Sequence, residues 1–238
     1  MSMNPIADEM NHLIGTAREF QPQYREMYRE LSDTVVRREY ARGGQLLHRG
    51  YYCPSPVFDL IVGGVKRGRL LKRLPSAKST PDVTFGFNEK DQLVTVERSG
   101  GGKEFIFYPE DGLELGIGFM SDRVCLVSEC RFAQGRLQTY SCCYLADGKD
   151  FHKEVFAYDE EGLRYLDWYT FCEYDNNKTS YEHEKYQFEH DEDGTLSRYR
   201  AVPCDDPFLR ERKGVSQPME APFSVYDMEF EITQKRKV

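Results

Sequence analysis

Turn signals punctuate the chain from Pro81 to Val202 and separate short runs rich in β-branched and aromatic residues. The signals are clusters of Asp, Asn, Ser and Gly at intervals of roughly ten to sixteen residues, a spacing typical of an antiparallel meander. The clearest runs are Glu104–Tyr108, Val124–Phe132, Thr139–Leu145 and Tyr165–Tyr174. The pattern predicts about ten strands that run up and down in sequence order.

Every second turn carries the same signature: an aromatic residue or His, then a polar or acidic turn, then Leu. It occupies 87–93, 108–113, 132–137, 158–163 and 190–196. Alternate turns of an up-and-down sheet lie at the same end, so the sequence predicts one acidic rim. The candidate partner-binding residues of this rim are Glu89, Asp91, Glu110, Asp111, Asp159, Glu160, Glu161, Asp191, Glu192 and Asp193. The alternative is purely structural, because tight turns favour Asp, Asn and Gly, but they have no need of Glu.

The segment before the meander is predicted to be helical over residues 5–42 and to end at Gly43-Gly44, which gives a helical N-terminal segment of residues 1–44. Apolar residues recur at helical spacing on both sides of Pro22, where the helix restarts. Three arginines near the end of this segment would suit the last helical turns: Arg37, Arg38 and Arg42. The helices are expected to cover one face of the sheet.

Residues 45–81 are predicted to form an irregular basic segment. Prolines interrupt its beginning, and Val57–Val62 is a candidate strand. Its basic residues, Arg49, Lys66, Arg67, Arg69, Lys72, Arg73 and Lys78, outnumber its single acid, Asp59. Such a run is usually a solvated face, or it pairs with acids elsewhere in the chain. Contact with nucleic acid is disfavoured, because no aromatic residues interleave with the cations of 66–73.

The C-terminal part completes the predicted single domain, 1–238, in which the meander covers 82–238. Four prolines predict an excursion over 203–222, and residues 223–232 alternate as a half-buried closing strand does. Along Tyr165–Cys172 both faces carry large residues, so the sheet is expected to be covered twice, by the helices and by a second layer. The predicted fold is therefore mainly β, an open twisted antiparallel sheet rather than a closed barrel.

Composition narrows the classes of function. Aromatic residues make up 13% of the chain, more than a disordered chain contains. The net charge of −8 disfavours nucleic-acid binding and favours a basic partner. No apolar run is long enough for a membrane span, and the first twenty or so residues contain acids rather than the apolar core of a signal peptide. The seven cysteines lack metal-type spacing, so we expect reduced thiols in a cytoplasmic protein.

No motif for nucleotide binding, zinc proteolysis or serine hydrolysis occurs in the chain. His183 and His190 fall on opposite faces of a regular strand, which disfavours a shared metal site. A Cys–His pair between Cys143 and His152 could form only by coincidence in the fold. His and Cys in an aromatic sheet are usually packing residues. The sequence thus predicts no catalytic residue, no metal ligand and no cofactor.

The turn Tyr158-Asp159-x-x-Gly162-Leu163 and its counterparts resemble the YD (Rhs-type) repeats of bacterial proteins. They also resemble the degenerate forms of these repeats in small cytoplasmic immunity proteins of polymorphic toxin systems. The likeness covers about residues 83–202. The chain is short and shows no export signal, unlike the secreted Rhs proteins, so the resemblance implies the immunity role and not the shell-forming one. An immunity protein of this type plugs the active site of its toxin with an acidic or aromatic surface and performs no catalysis.

We therefore expect a non-enzymatic protein-binding module, an immunity protein that neutralises a basic toxin domain through the acidic rim. The alternative is a carrier of a small apolar ligand, in which the strands close into a β-barrel with an aromatic-lined interior. Strands that are apolar on both faces disfavour that alternative, because a barrel needs one polar face outward.

Overall fold

The computed structural model describes residues 6–73, 80–145, 148–173, 179–206, 208 and 230–231. The chain divides into two compact units. Leu13–Gly135 form the first, called here the N-terminal unit, and Met1–His12 with Arg136–Val238 form the second, called the C-terminal unit. The single domain expected from the sequence stays a prediction.

The N-terminal helices end earlier than predicted. Helix α1 spans Ala7–Phe20 and α2 spans Tyr24–Asp33, and a 3-10 turn over Gln21–Gln23 joins them at the predicted break. The helical prediction for 37–42 is wrong, because strand β1 occupies Arg37–Arg42. The backbone N–H of Val36 already bonds to the carbonyl of Phe87, so pairing with the sheet overrides helical propensity there. No helix among the described residues is long and apolar enough to cross a membrane.

The N-terminal unit contains a seven-stranded antiparallel sheet in the order β2-β1-β3-β4-β5-β6-β7. Besides β1, its strands are β2 (Arg69–Leu70), β3 (Val83–Phe87), β4 (Leu93–Arg98), β5 (Gly102–Phe107), β6 (Leu113–Met120) and β7 (Arg123–Ala133). From β3 onward each strand pairs with the next in sequence, as a meander requires.

The C-terminal unit contains a second run of antiparallel strands, also in sequence order. They are β8 (Arg136–Tyr144), β9 (Lys149–Tyr158), β10 (Leu163–Glu173), β11 (Thr179–His190), β12 (Leu196–Val202) and β13 (Phe230–Glu231). Of the closing strand predicted over 223–232, only β13 is described, and it pairs with β12. Most of the predicted excursion, 207 and 209–222, lies outside the described residues.

The fold class predicted from the sequence is confirmed. The described residues are mainly β, and the ten strands from β3 to β12 run antiparallel in sequence order within each unit. In neither unit does the sheet close into a barrel.

The segment after β1 is irregular, as predicted, but its strand candidate is wrong. Residues Phe58–Ile61 form a short helix, α3. The hydroxyl of Ser55 accepts hydrogen bonds from the backbone N–H groups of Val57 and Phe58, which favours a helical start over an extended strand. Residues 74–79 of this segment lie outside the described residues.

Two layers cover the sheet of the N-terminal unit, which confirms that expectation for this unit. On one face the ring of Tyr24 from α2 lies 4.6 Å from that of Phe119. On the other face Tyr52, from a 3-10 turn over Gly50–Tyr52, lies 4.9 Å from Phe85. The two faces follow from the period of two along each strand.

Candidate functional site

Two acidic turns lie at the same end of the C-terminal unit. One connects β9 to β10 and contains Asp159, Glu160 and Glu161. The other connects β11 to β12 and contains Asp191, Glu192 and Asp193. They are alternate connections of an antiparallel meander, so they share an end, and we call these six residues the acidic turn pair. All six are exposed.

The aspartates of these turns serve the turn geometry. The carboxylate of Asp159 accepts hydrogen bonds from the backbone N–H groups of Glu161 and Gly162, at 3.0 and 3.2 Å. In the second turn the carboxylate of Asp193 accepts from the N–H of Thr195 at 3.0 Å. These are the local side-chain bonds for which tight turns select Asp.

The glutamates contribute nothing to the turn geometry through their side chains. Among the described residues no ion pair involves Glu160, Glu161 or Glu192. Their charge is therefore available to a partner, whereas Asp159 has Arg164 at 3.8 Å. The excess of Glu noted in the sequence thus falls on residues that the turn geometry does not require.

The turns that follow β3 and β5 are also acidic, and they lie at one end of the N-terminal unit. Glu89 and Asp111 are exposed there. The other two acids are partly neutralised, since Asp91 bonds to Arg37 and Glu110 lies 3.9 Å from Arg131. This end is therefore a weaker candidate surface than the acidic turn pair. A single rim formed by all five turns spans both units and stays a prediction.

A polar cluster that the sequence did not reveal surrounds His183 in the C-terminal unit. Its ring Nδ1 lies 2.9 Å from the carboxylate of Asp206, and Nε2 lies 2.9 Å from that of Asp167. The thiol of Cys204 lies 3.1 Å from Nδ1, and the ring of Tyr169 stacks on the imidazole at 4.0 Å. His183, Cys204 and Asp206 are all buried.

The hydrogen bonds decide the charge of this imidazole. Both ring nitrogens face carboxylates, which only accept, so both nitrogens carry protons. Burial lowers the pKa of His183, but hydrogen bonds to Asp167 and Cys204 outweigh it, and the pKa rises to about 10. At neutral pH the ring is therefore an imidazolium that pairs with the carboxylates of Asp167 and Asp206.

The His183 cluster holds the chain after β12 against the sheet. Asp206 also accepts a hydrogen bond from the hydroxyl of Tyr181 at 2.7 Å, and the ring of Tyr181 lies 5.1 Å from that of Phe208. These contacts bind Cys204, Asp206 and Phe208 to β11. Another histidine considered in the sequence, His152, bonds to Glu154 at 2.8 Å and packs on Trp168 at 4.1 Å.

A buried ionic cluster in the N-terminal unit was also missed, because Arg49 was counted among the basic residues of the 45–81 segment. The structure buries Arg49, which donates to Glu104 and to Glu114 at 2.8 Å each. His48 shares the same Glu104 oxygen, Oε1, at 2.9 Å, and Ser128 lies 3.4 Å from the guanidinium. The second oxygen of Glu104, Oε2, accepts no hydrogen bond from the described residues.

The charges of the buried ionic cluster follow from its contacts. Burial would raise the pKa of Glu104, but His48 and Arg49 outweigh it and hold that pKa well below the ordinary value. Burial lowers the pKa of His48 despite the neighbouring carboxylate. The Arg49 guanidinium and the Glu104 carboxylate are 2% and 0% exposed, so each compensates the charge of the other in place of water. Within the part of the chain that is described, no three His, Cys, Asp or Glu side chains are placed to hold a metal ion.

No family model matches the chain, and no curated protein is significantly similar to it.

Proposed function

We propose that the protein is a non-enzymatic protein-binding module that neutralises a basic toxin domain, in the manner of a bacterial immunity protein. The observation that carries the proposal is the acidic turn pair, which presents six exposed acids at one end of the C-terminal unit. The resemblance of these turns to YD repeats supports the same role, since degenerate repeats of this type occur in immunity proteins.

The chemistry of the acidic turn pair suits rapid capture of a cationic partner. Closely spaced carboxylates on neighbouring turns create a negative potential that steers a basic protein and raises the association rate. The net charge of the whole chain, −8, acts in the same direction.

The acidic turn pair is also held rigidly by the strands that flank it. Asp159 N–H bonds to the carbonyl of Gly162 at 2.9 Å, and Asp191 N–H bonds to that of Thr195 at 2.8 Å. A surface that is fixed before binding loses little conformational entropy on association, so more of the interaction energy appears as affinity.

The test is co-purification with the product of the neighbouring gene, followed by kinetics on the purified pair. The variant Glu160→Lys/Glu161→Lys/Glu192→Lys reverses charges that serve no turn geometry. We expect its association rate constant at low salt to fall by at least about tenfold, with a smaller difference at high salt, because salt screens exposed charges.

The matched control reverses three exposed glutamates of the helices, Glu19→Lys/Glu26→Lys/Glu30→Lys, and changes the net charge by the same amount. Loss of rate in the turn variant alone supports the proposal. Equal losses in both variants would show that only net charge matters, and unchanged binding in the turn variant would overturn the role of the acidic turn pair.

The alternative from the sequence, a carrier of a small apolar ligand, depended on a closed barrel. Neither unit closes its sheet. That alternative therefore loses its premise, and the binding module remains the proposed function.

A further inference from the structure

Leu46 is the most exposed large hydrophobic residue of the described chain, with 86% of its surface accessible. It lies on the loop between β1 and the 3-10 turn at Gly50–Tyr52. Its immediate neighbour Leu47 is 1% exposed. The loop therefore buries Leu47 and exposes the preceding residue, Leu46, to solvent.

The backbone of this loop is fixed on the side of β1. Gly43 and Gly44 adopt left-handed conformations, with φ of 77° and 84°. The N–H of Gly43 bonds to the carboxylate of Asp82 at 2.7 Å, and the N–H of Leu47 bonds to the carbonyl of Gly44 at 3.2 Å. Leu46 thus lies between two backbone anchors.

The loop is fixed on its other side by the buried ionic cluster. Arg49 is left-handed as well, with φ of 55°, a conformation that costs energy in a residue other than glycine. Its guanidinium and the ring of His48 both bond to Glu104. A strained backbone persists only where the surroundings enforce it, and here the buried ionic cluster fixes the backbone three residues after Leu46.

A stretch that carries three cations runs beside Gly44, two residues before Leu46. A Cβ on Gly44 would lie 2.5 Å from the carbonyl oxygen of Arg67, so the two backbones touch. Leu46 follows Gly44 by two residues, which limits their Cα separation to about 7 Å. Arg67 is flanked by Lys66 and, two residues on, Arg69 of β2.

Two of these cations carry charge that no described acid neutralises. Arg67 pairs with Asp59 at 3.0 Å. Lys66 and Arg69 are exposed, and neither forms an ion pair with a described residue. Basic residues beside the short edge strand β2 would serve to prevent edge-to-edge aggregation, but that role explains neither the projection of Leu46 nor the strain of its loop.

We propose that Leu46, Lys66 and Arg69 form a docking surface for an acidic amphipathic segment of another protein. The leucine supplies the apolar anchor, and the two cations pair with acidic side chains around it. An apolar anchor on a fixed loop favours a protein partner over RNA, which offers phosphates and flat bases. The proposal is independent of the acidic turn pair, which faces a partner of opposite charge.

The test is a titration of the full-length protein with a synthetic amphipathic peptide of about 20 residues. The peptide consists of glutamates, with leucines placed at helical spacing so that they share one face. Binding is measured by fluorescence anisotropy of the labelled peptide. Leu46→Asp and the double variant Lys66→Glu/Arg69→Glu are each expected to weaken binding about tenfold or more, as loss of an interface anchor does. A glutamate peptide without leucine is expected to bind more weakly than the amphipathic one.

One matched control is Val36→Asp, at an exposed apolar residue directly before β1. The other is the double variant Lys90→Glu/Arg25→Glu, which reverses two exposed cations. These controls are expected to bind as the unaltered protein does, and circular dichroism checks that all variants fold. The proposal is overturned if the peptide does not bind or if control and test variants bind alike. Stronger binding to phosphatidylserine vesicles or to a single-stranded RNA, with the same dependence on Lys66 and Arg69, would overturn it as well.

Discussion

Arg49 donates a hydrogen bond from Nε to Oε1 of Glu104 at 2.8 Å, and the two side chains are 2% and 0% exposed. The contact joins the loop after β1 to the middle of the sheet, across 55 residues of sequence. Because burial removes both charges from water, each depends on the other for compensation.

The first prediction concerns the loss of one member of this pair. Glu104→Leu leaves a buried guanidinium with Glu114 as its remaining charged partner, and we expect the free energy of unfolding to fall by about 3–5 kcal/mol. The double variant Arg49→Met/Glu104→Leu removes the stranded charge and should recover much of that loss. Urea denaturation followed by circular dichroism measures both values.

A half-exposed ion pair that joins β4 to β5 is the control for the buried one. Glu97 lies 3.7 Å from Lys103 at the surface of the N-terminal unit. Glu97→Gln should cost no more than about 1 kcal/mol, since surface ion pairs contribute little. If Glu104→Leu were as mild as Glu97→Gln, the pair with Arg49 would not stabilise the fold.

The second prediction concerns the glycine that makes room for the buried ionic cluster. A Cβ on Gly116 would lie 2.4 Å from the hydroxyl of Ser128, 2.5 Å from Oε1 of Glu104 and 2.6 Å from the guanidinium of Arg49. Gly116→Ala must therefore displace a hydrogen-bonded charge, and we expect a loss of about 2–4 kcal/mol, typical of overpacking combined with a broken polar network. Thermal and chemical unfolding measure it.

Gly15 provides the comparison, because a Cβ there meets nothing within 4 Å and the residue lies inside α1. Gly15→Ala should stabilise the protein by up to about 1 kcal/mol through helix propensity. A stable Gly116→Ala variant would mean that the cluster rearranges freely around an extra methyl group.

The sequence predicted the meander because turn signals and alternation are local. The aromatic residues between two turn signals, as in Tyr165 to Cys172, indicate a strand without reference to any other part of the chain. The helix prediction failed at 37–42 for the complementary reason. Strand β1 exists because Arg37 to Ala41 pair with β3, and the hydrophobic pattern of β1 alone does not show its partner.

The buried clusters could not be predicted, because each joins distant parts of the chain. In the sequence, Arg49 looks the same as the other cations of its segment. Only the folded structure brings Glu104 of β5 and Glu114 of β6 beside it. His183 meets Asp167 through the register of β10 and β11, and no turn signal fixes that register in advance. The acidic turns were predictable, since both their composition and their alternation are local.

The third prediction concerns pH. The folded pKa of His183, about 10, lies above its ordinary value of 6.5. A raised pKa contributes stability that is fully present below pH 6.5 and is lost as the pH rises through 10. We expect the free energy of unfolding to decline over this range in the unaltered protein and to decline less in His183→Gln. Denaturation at a series of pH values measures both profiles.

A direct observation of the ring completes the pH test. The imidazole signals of His183 should titrate near pH 10 in nuclear magnetic resonance spectra, and Asp206→Asn should lower that midpoint, because it removes one carboxylate from Nδ1. A midpoint near 6.5 would show that the carboxylates do not hold the proton.

The fourth prediction separates the structural acids of the acidic turn pair from those available to a partner. Asp159→Ala removes the acceptor of two backbone N–H groups and should lower the free energy of unfolding by about 1–2 kcal/mol. Glu160→Ala/Glu161→Ala should change it by no more than about 0.5 kcal/mol, as surface substitutions do. Chemical denaturation of the two variants gives the comparison. Equal losses would mean that the glutamates also stabilise the turn, and their presence would then need no binding partner to explain it.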